Sequence, residues 1–397
     1  MATGLILANS IFGVEQEVTE GTYVAPSATT SYFQALEGVS LKPSRDVIDR
    51  GLVTSSPGKE TPRMGMKSVA VQVPVELRAS GVAGGETDFD SFFKSALGAR
   101  RQNTAAVTTR AGSNTSTVIL IADADIANFN VGDIVLVKAA GAYEMRPILS
   151  KTSGAGTATI TLAFALTAGA PSSGVVISKF TTYYTADTGH PSLSFSRYVA
   201  NEIRQAAVGC KVTSMALDGF APGKVASLKF ALEGLTSTEV NGAAPHTPAY
   251  DVGVPPIILN ACVWRNGVLT PISSLSLSLA NELGFLTDTC SPNGKTGSRV
   301  KSREISGGLN PYKDDTSVGF FDDWVAGTEF SIFAYCYNPS ATAGQGTEGS
   351  FIGFWLPQCI TTEIEVADMD GIATDQMSFK ATRGSVGTSE EMYIGFV

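Results

Sequence analysis

The sequence predicts an all-β protein with two tandem β-sandwich or barrel units, each flanked by one short α-helix, and a small inserted β-barrel-like domain. Three observations carry this prediction. Glycine makes up 41 of 397 residues and only 16% of residues are charged, which suits strands and tight turns better than helices. Several segments alternate apolar and polar residues with the period of a strand. A set of strand, helix and hairpin motifs occurs twice in one order.

The chain begins with a segment that predicts an extended arm, residues 1–31, because it contains no long periodic pattern. Every second residue from Val69 to Leu77 is apolar, which predicts a half-buried strand. We expect the first unit to comprise residues 32–100 and 182–250. The second unit is expected to span residues 251–397.

A polar segment from Pro43 to Lys67 predicts a long surface loop. It is rich in proline, glycine and charges of both signs, and loops of this length are usually functional or disordered. We predict that it contacts a neighbouring subunit. The candidate contact residues are Arg45, Asp46, Asp49, Arg50, Lys59, Glu60 and Arg63.

The segment from Thr87 to Leu97 predicts an amphipathic helix. Thr87 or Asp88 can cap its start, and Gly98 can end it. A second helix is predicted near 317–326. Each helix carries an apolar stripe, and a stripe of this kind packs on a sheet far more often than it binds a ligand. The residues expected in the two buried stripes are Phe89, Phe92, Phe93, Leu97, Phe321, Trp324 and Val325.

Residues 101–181 differ from the rest of the chain and predict the inserted β domain. They are rich in alanine, threonine, glycine and serine. Short β segments are predicted at 118–121, 134–138, 146–149 and 159–164.

Two motifs that recur in the same order predict a tandem duplication. The helical segment DSFFKSALG at 90–98 resembles GFFDDWVAG at 319–327. The alternating strand at 210–219 resembles the strand at 359–366, and each begins with cysteine. Chance resemblance is the alternative to duplication.

Two further strands extend this repeat. The return strand at 227–234 aligns with 377–384 through the glycine that ends each segment. The opening strand at 36–41 aligns loosely with 272–277. The order strand, long loop, strand, helix and hairpin is therefore expected in both units.

Composition excludes several classes of function. Residues 251–397 hold 8 of the 28 Lys and Arg but 17 of the 37 Asp and Glu, so no basic face for nucleic acid is expected. The five cysteines are widely spaced without a C-x-x-C motif, which indicates buried thiols rather than disulfides or zinc. We expect no enzyme activity, cofactor or metal. We also expect no membrane contact, because no apolar run approaches the ~18–20 residues of a membrane helix.

The segment GCKVTSMALDGFAPG at 209–223, with the strand and helix at 69–98, resembles the major tail tube proteins of long-tailed, siphovirus-type bacteriophages. The resemblance is good over 10–100 and 185–240 and weaker over 256–397. It implies a β-sandwich or barrel with one flanking helix, in subunits that form rings stacked into a hollow tube. Double-stranded DNA passes through such a tube during genome ejection.

The implied partners are other copies of the chain and the tape measure, tail terminator and tail-tip initiator proteins. The implied location is the virion tail, assembled in the host bacterial cytoplasm. With two units in each chain, three chains would form a ring with pseudo-sixfold symmetry, whereas six chains would make the second half an added outer domain. A tube subunit of a bacterial secretion or phage-like particle, and a non-polymerising capsid or baseplate module, are the alternatives.

The acidic excess suits a conduit that must not bind its DNA, because basic groups would hold the phosphates. Glu363 and Glu365 lie two residues apart on one face of an alternating strand, and Ser214 and Ala216 match them in the first unit. We predict that this face lines the lumen. A solvated outer face is the alternative.

Overall fold

A computed structural model describes residues 5–7, 9–53, 58–139, 141–259, 261–313, 318–339, 346–383 and 390–397. These residues form an all-β fold, with two α-helices, α1 (Asp90–Leu97) and α2 (Val318–Ala326), and short 3-10 turns at Thr29–Ser31 and Asp123–Asn128. The strands are β1 (Ser10–Gln16), β2 (Tyr32–Phe33), β3 (Ser40–Ile48), β4 (Arg63–Glu76), β5 (Gly98–Asn103), β6 (Val107–Thr108), β7 (Val118–Ala122), β8 (Ile134–Ala139), β9 (Ala142–Thr152), β10 (Thr157–Leu162), β11 (Val176–Ile177), β12 (Phe180–Thr185), β13 (Leu193–Val199), β14 (Ile203–Phe220), β15 (Ser227–Gly234), β16 (Thr236–Asn241), β17 (Cys262–Arg265), β18 (Val268–Leu269), β19 (Ile272–Thr287), β20 (Lys295–Pro311), β21 (Glu329–Cys336), β22 (Ile352–Met369), β23 (Ile372–Ala381) and β24 (Tyr393–Phe396).

In the described residues the main sheet has 18 strands, and eight of them follow one another antiparallel as β3-β4-β15-β14-β19-β20-β23-β22. The first four of these strands are called the first group here, and the last four the second group. In each group an opening hairpin is followed by the return strand and then by the long strand of a second hairpin. The two groups meet where β14 pairs with β19.

The two groups share their pairing register as well as their strand order. One row across the first group reads Leu41, Val71, Leu232 and Val212, and the matching row across the second group reads Leu277, Gly307, Phe379 and Thr361. A one-residue slip in any pair would turn its side chains to the other face, so equivalent residues of the two groups point to the same face of the sheet.

The alignment of the return strands predicted from the sequence is wrong by three residues. The register makes Gly234 equivalent to Ala381, because each pairs with the matching residue of β4 or β20, Val69 or Ile305. The sequence alignment instead matched Gly234 to Gly384, which lies outside the described residues. The sequence alignment relied on the glycine that ends each segment. The connection from β14 to β15 is longer than the one from β22 to β23, so this glycine does not mark equivalent positions.

The segment 43–67, predicted to be a loop, is largely part of a β-hairpin. β3 continues to Ile48 and β4 begins at Arg63, with Ser44 opposite Ser68. The many polar side chains arise because both strands project beyond the core and are exposed. Pro43 lies in the outermost strand, a position that tolerates a residue without an N–H.

Helix α1 packs against β14 on the apolar face of the main sheet. Its N-cap is Phe89 rather than the predicted Thr87 or Asp88, because the Asp88 carboxylate pairs with Arg78 instead. Gly98 ends the helix as predicted, with φ of +100°, a left-handed conformation that glycine adopts without strain.

A second sheet of six strands, β6-β11-β8-β9-β10-β7, is built from residues 107–177. The β segments predicted at 118–121, 134–138 and 146–149 fall within β7, β8 and β9, and the segment predicted at 159–164 overlaps β10, which ends at Leu162. Its core is continuous with side chains of the main sheet, among them Trp264, Phe333 and Trp355. The second sheet therefore covers part of the second group's side of the molecule.

The predicted N-terminal arm contributes a strand to the chain's own sheet. β1 pairs antiparallel with β13 along its full length. Further along the same segment, Glu20 accepts hydrogen bonds from the backbone and hydroxyl of Ser298 at 2.6 and 2.9 Å and from Arg299 at 2.9 Å. Among the described residues, no helix is long and apolar enough to cross a membrane.

Candidate assembly interface

The junction between β14 and β19 shows how two groups of this protein join. Met215 lies opposite Leu279, and Leu217 lies opposite Leu277. All four side chains are buried, with no more than 4% of their surface exposed. The apolar face of the sheet is therefore continuous across the junction, while backbone hydrogen bonds join the two edges.

The series of eight strands ends at two edges that no strand in the described part of the chain covers. One edge is the outer side of β3, which pairs only with β4. The other is residues 361–369 of β22, which pair only with β23. Val366 in this edge is 59% exposed, although Leu217, its equivalent at the internal junction, is buried. Open edges of this kind pair readily with another chain.

The predicted contact residues of segment 43–67 all lie near the β3 edge. Arg45 and Asp46 are in β3, and Arg63 begins β4. Asp49, Arg50, Lys59 and Glu60 lie in the connection between the two strands. All seven side chains are exposed, and the Arg45 Nε donates a hydrogen bond to the Gly65 carbonyl at 3.2 Å.

The two edges carry opposite charge. Residues 361–370 contain four Asp or Glu and no Lys or Arg. Residues 40–67, which hold the β3 edge, contain six Lys or Arg and three Asp or Glu. Charges of opposite sign on two surfaces favour their association and disfavour association of each with itself.

The four predicted lumen residues lie on one face of the main sheet. Ser214 and Ala216 occupy the same positions in β14 as Glu363 and Glu365 occupy in β22. Between them the face is lined by small residues of β19, β20 and β23, four serines and a glycine: Ser276, Ser278, Ser306, Ser378 and Gly308.

Two lysines of this face are paired with carboxylates within the chain. Lys229 contacts Asp218 at 2.7 Å, and Lys380 contacts Glu304 at 2.7 Å. Both ion pairs are more than half exposed, so they do little for stability. They do offset positive charge that would otherwise attract a polyanion, which leaves this face with an acidic balance.

The two helical stripes differ in burial. Phe89, Phe92, Phe93 and Leu97 on the first helix have at most 1% of their surface exposed. The predicted burial fails for the second helix, where Phe321 is 50% exposed, Trp324 39% and Val325 67%. Helix α2 packs on β22 next to the open edge, so within one chain nothing described covers its far side.

Asn281, which the sequence analysis missed, connects α1 to both strands of the internal junction. Asn281 of β19 donates hydrogen bonds from Nδ2 to the carbonyls of Ala96 at 2.9 Å and Val212 at 3.1 Å. Its side chain is buried on the face that carries Leu277 and Leu279. A polar residue in the core phase of an alternating strand was the signal that could have identified it.

Comparison with known proteins identifies the family of this chain. A search of curated proteins finds no match to this chain. The family model described as phage tail tube protein matches residues 8–381, which is nearly the whole chain and includes both groups of strands. The chain therefore belongs to the phage tail tube protein family, and it is a structural component of the virion tail that assembles with copies of itself.

Proposed function

We propose that three copies of this chain form a ring with pseudo-sixfold symmetry and that the rings stack into the hollow tail tube. The observation that carries this proposal is the repeat of strand order and register in the two groups. Two equivalent groups per chain supply six in a ring of three. The first unit would then carry residues 101–181 as an insert, and residues 251–397 would form the second unit.

The polar face of the main sheet is proposed to line the lumen. The opposite face is apolar and is covered by α1, so it belongs to the wall. A lining of small polar side chains with Glu363 and Glu365 offers no array of cations to bind phosphates. Double-stranded DNA could therefore pass during genome ejection without specific binding, in the tail of a siphovirus-type phage.

The proposed partners besides the chain itself are the proteins that set where a tail tube begins and ends. These are the tail-tip initiator, the tape measure protein and the tail terminator. Assembly would take place in the cytoplasm of the host bacterium. A ring closes growth in its own plane, whereas stacking is an open contact that continues until a terminator covers it.

Electron microscopy of the concentrated protein, with averaging of the ring views, tests the proposal. Hollow stacked rings of three chains are expected. Rings of six chains would keep the tube and overturn the pseudo-sixfold arrangement. Compact monomers alone, even after a tail initiator is added, would overturn the tube itself.

A further inference from the structure

We infer that residues 361–369 of one chain pair antiparallel with β3 of the next copy, in the register of the internal β14–β19 junction, so that Glu365 lies opposite Lys42. This inference rests on the proposed ring and adds to it the two edges, their direction and their register. The occupant of each open edge is thus a second copy of this chain.

The internal junction supplies the template for this pairing. β3 is equivalent to β19 and β22 is equivalent to β14, as their matching rows show. The pairing of β14 with β19 inside the chain is therefore the template for the pairing of β22 with β3 of the next chain. The pairs Ser214–Ala280, Ala216–Ser278 and Leu217–Leu277 become Glu363–Ser44, Glu365–Lys42 and Val366–Leu41.

The side of β22 that is free matches the side of β14 that β19 occupies. β13 pairs with β14 as far as Cys210, and β19 takes over on the same side from Ser214 onward. β21 likewise pairs with β22 only as far as Ile360, opposite Glu329. The edge beyond Ile360 is left open on that side in the described chain.

The side chains along the two edges suit each other in this register. Val366 and Leu41 would meet on the apolar face, where Leu217 and Leu277 are buried at the internal junction. On the polar face Glu365 would meet Lys42, and both are exposed in the single chain. The internal junction has the neutral Ala216–Ser278 at this place, so the ion pair belongs only to the contact between chains.

A second contact follows from the same equivalence. Arg45 pairs with Lys67 as Asn281 pairs with Arg303, so Arg45 occupies the place of Asn281. In the next chain its guanidinium would face the carbonyls of Val325 and Thr361, the equivalents of those that Asn281 binds. An arginine has donors for both carbonyls, and its aliphatic part would cover apolar surface of α2.

Cysteine cross-linking of assembled tubes tests the register. The variant Lys42→Cys/Glu365→Cys is made in a background in which the exposed Cys290 is replaced by serine. After oxidation, a non-reducing gel is expected to show a ladder of linked chains that ends at the number of chains in one ring. Lys42→Cys/Ile364→Cys is the matched control, because in this register its two cysteines would face opposite sides of the sheet.

The outcomes separate this inference from the proposed tube. Cross-linking of Lys42→Cys with Glu363→Cys or Ile364→Cys, or no cross-link from any pair in intact tubes, would overturn the register and leave the tube standing. Failure of the unmodified chain to form rings would instead overturn the proposed function.

Charge exchange decides the case in which the double-cysteine variant does not assemble. Glu365→Lys alone should weaken each junction up to about fivefold, and Glu365→Lys/Lys42→Glu should restore assembly. If the exchange variant assembles no better than Glu365→Lys, the Glu365–Lys42 contact is wrong.

Discussion

Thr213 and Thr362 occupy the same position in two β-bulges and make the same hydrogen bond. Each hydroxyl donates to a carbonyl on the return strand, Ala231 for Thr213 and Ser378 for Thr362, at 3.1 Å in both cases. Each bulge interrupts the pairing of its long strand at this threonine. A bulge bends a strand and increases its twist, so the two groups curve at equivalent points.

The two groups nevertheless differ in what surrounds them. The bulge of Thr213 lies beside a closed junction, because β19 follows it within the same chain. The bulge of Thr362 lies beside an open edge and below α2, whose Trp324 Nε1 donates to the Thr362 carbonyl at 3.3 Å. Equivalent residues are therefore buried in one group and exposed in the other.

The equivalent residues Phe92 and Phe321 should respond differently to truncation. Phe92→Ala removes a fully buried ring and should lower the free energy of unfolding of the monomer by about 3–5 kcal/mol. Phe321→Ala should change it by only about 0.5 kcal/mol, because the ring is half exposed. In light-scattering assays Phe321→Ala should polymerise more slowly than the unmodified chain. Equal loss of stability in the two variants would contradict this assignment.

Replacing Glu144 with glutamine should destabilise the second sheet. Glu144 contacts the buried Arg146 guanidinium at 2.6 Å, and that guanidinium stacks 4.8 Å from the Trp264 ring of the main sheet. Loss of the carboxylate leaves a buried charge uncompensated, so we expect denaturant unfolding to show a loss of about 3 kcal/mol.

The matched control for this substitution is Glu282→Gln, which breaks an exposed pair with Lys301 of similar length. Little change is expected, since solvent screens an exposed pair. A Glu144→Gln chain as stable as this control would show that the Arg146 charge is compensated by its other contacts.

The free energy of unfolding of the monomer should fall as pH rises from 4 to 6, because of Asp133. Burial raises the pKa of Asp133 to about 6, against the lowering effect of Arg101 at 2.8 Å. An unfolded aspartate has a pKa of about 3.9, so the unfolded chain releases this proton first and gains relative stability as pH rises.

The variant Asp133→Asn tests this pH dependence, because it lacks the titrating group. Over pH 4–6 the unmodified chain should lose up to about 3 kcal/mol more of its unfolding free energy than the variant. Denaturant titrations at a series of pH values measure both curves. Parallel curves would mean that Asp133 does not titrate in this range.

Positive charge introduced on the proposed lumen face should slow DNA passage. Glu363→Lys places a cation where the phosphates of the duplex would pass, and so does Ser214→Lys at the equivalent position. Ser214→Glu is the matched control and should leave ejection unchanged, because it adds a charge that repels DNA. Kinetics of DNA release from assembled particles give the measurement. Unchanged kinetics in both lysine variants would place this face outside the lumen.

Much of the fold could be predicted because local patterns determine it. The alternation from Val69 to Leu77 identifies part of β4, and the apolar spacing with Gly98 identifies α1 and its end. Four of the six strands described in the second sheet were predicted for the same reason, and the two-residue strands β6 and β11 were not. The β3–β4 hairpin was not, because its exposed strands lack the alternation that burial imposes.

The assembly site could be predicted only in part. The charged residues from Arg45 to Arg63 were found from composition, and of these Arg45 and Asp46 lie in β3, the strand at one open edge. Asn281 and Lys42 were missed, because their positions at a junction or an edge depend on pairing with distant strands. The exposure of Trp324 was also missed, since its apolar spacing is the same whether the surface that covers it belongs to its own chain or to another.

The sequence by itself determined an all-β chain with two short helices and a motif order that occurs twice. Those features follow from the period of side chains along a strand or helix and from turn residues, which act over a few neighbours. Only the tertiary structure decided how the two groups align in register, which junction is closed and which edges remain open. Register is set by backbone pairing between segments far apart in the chain, such as Val71 with Leu232 and Thr181 with Phe396, and no local pattern encodes that pairing.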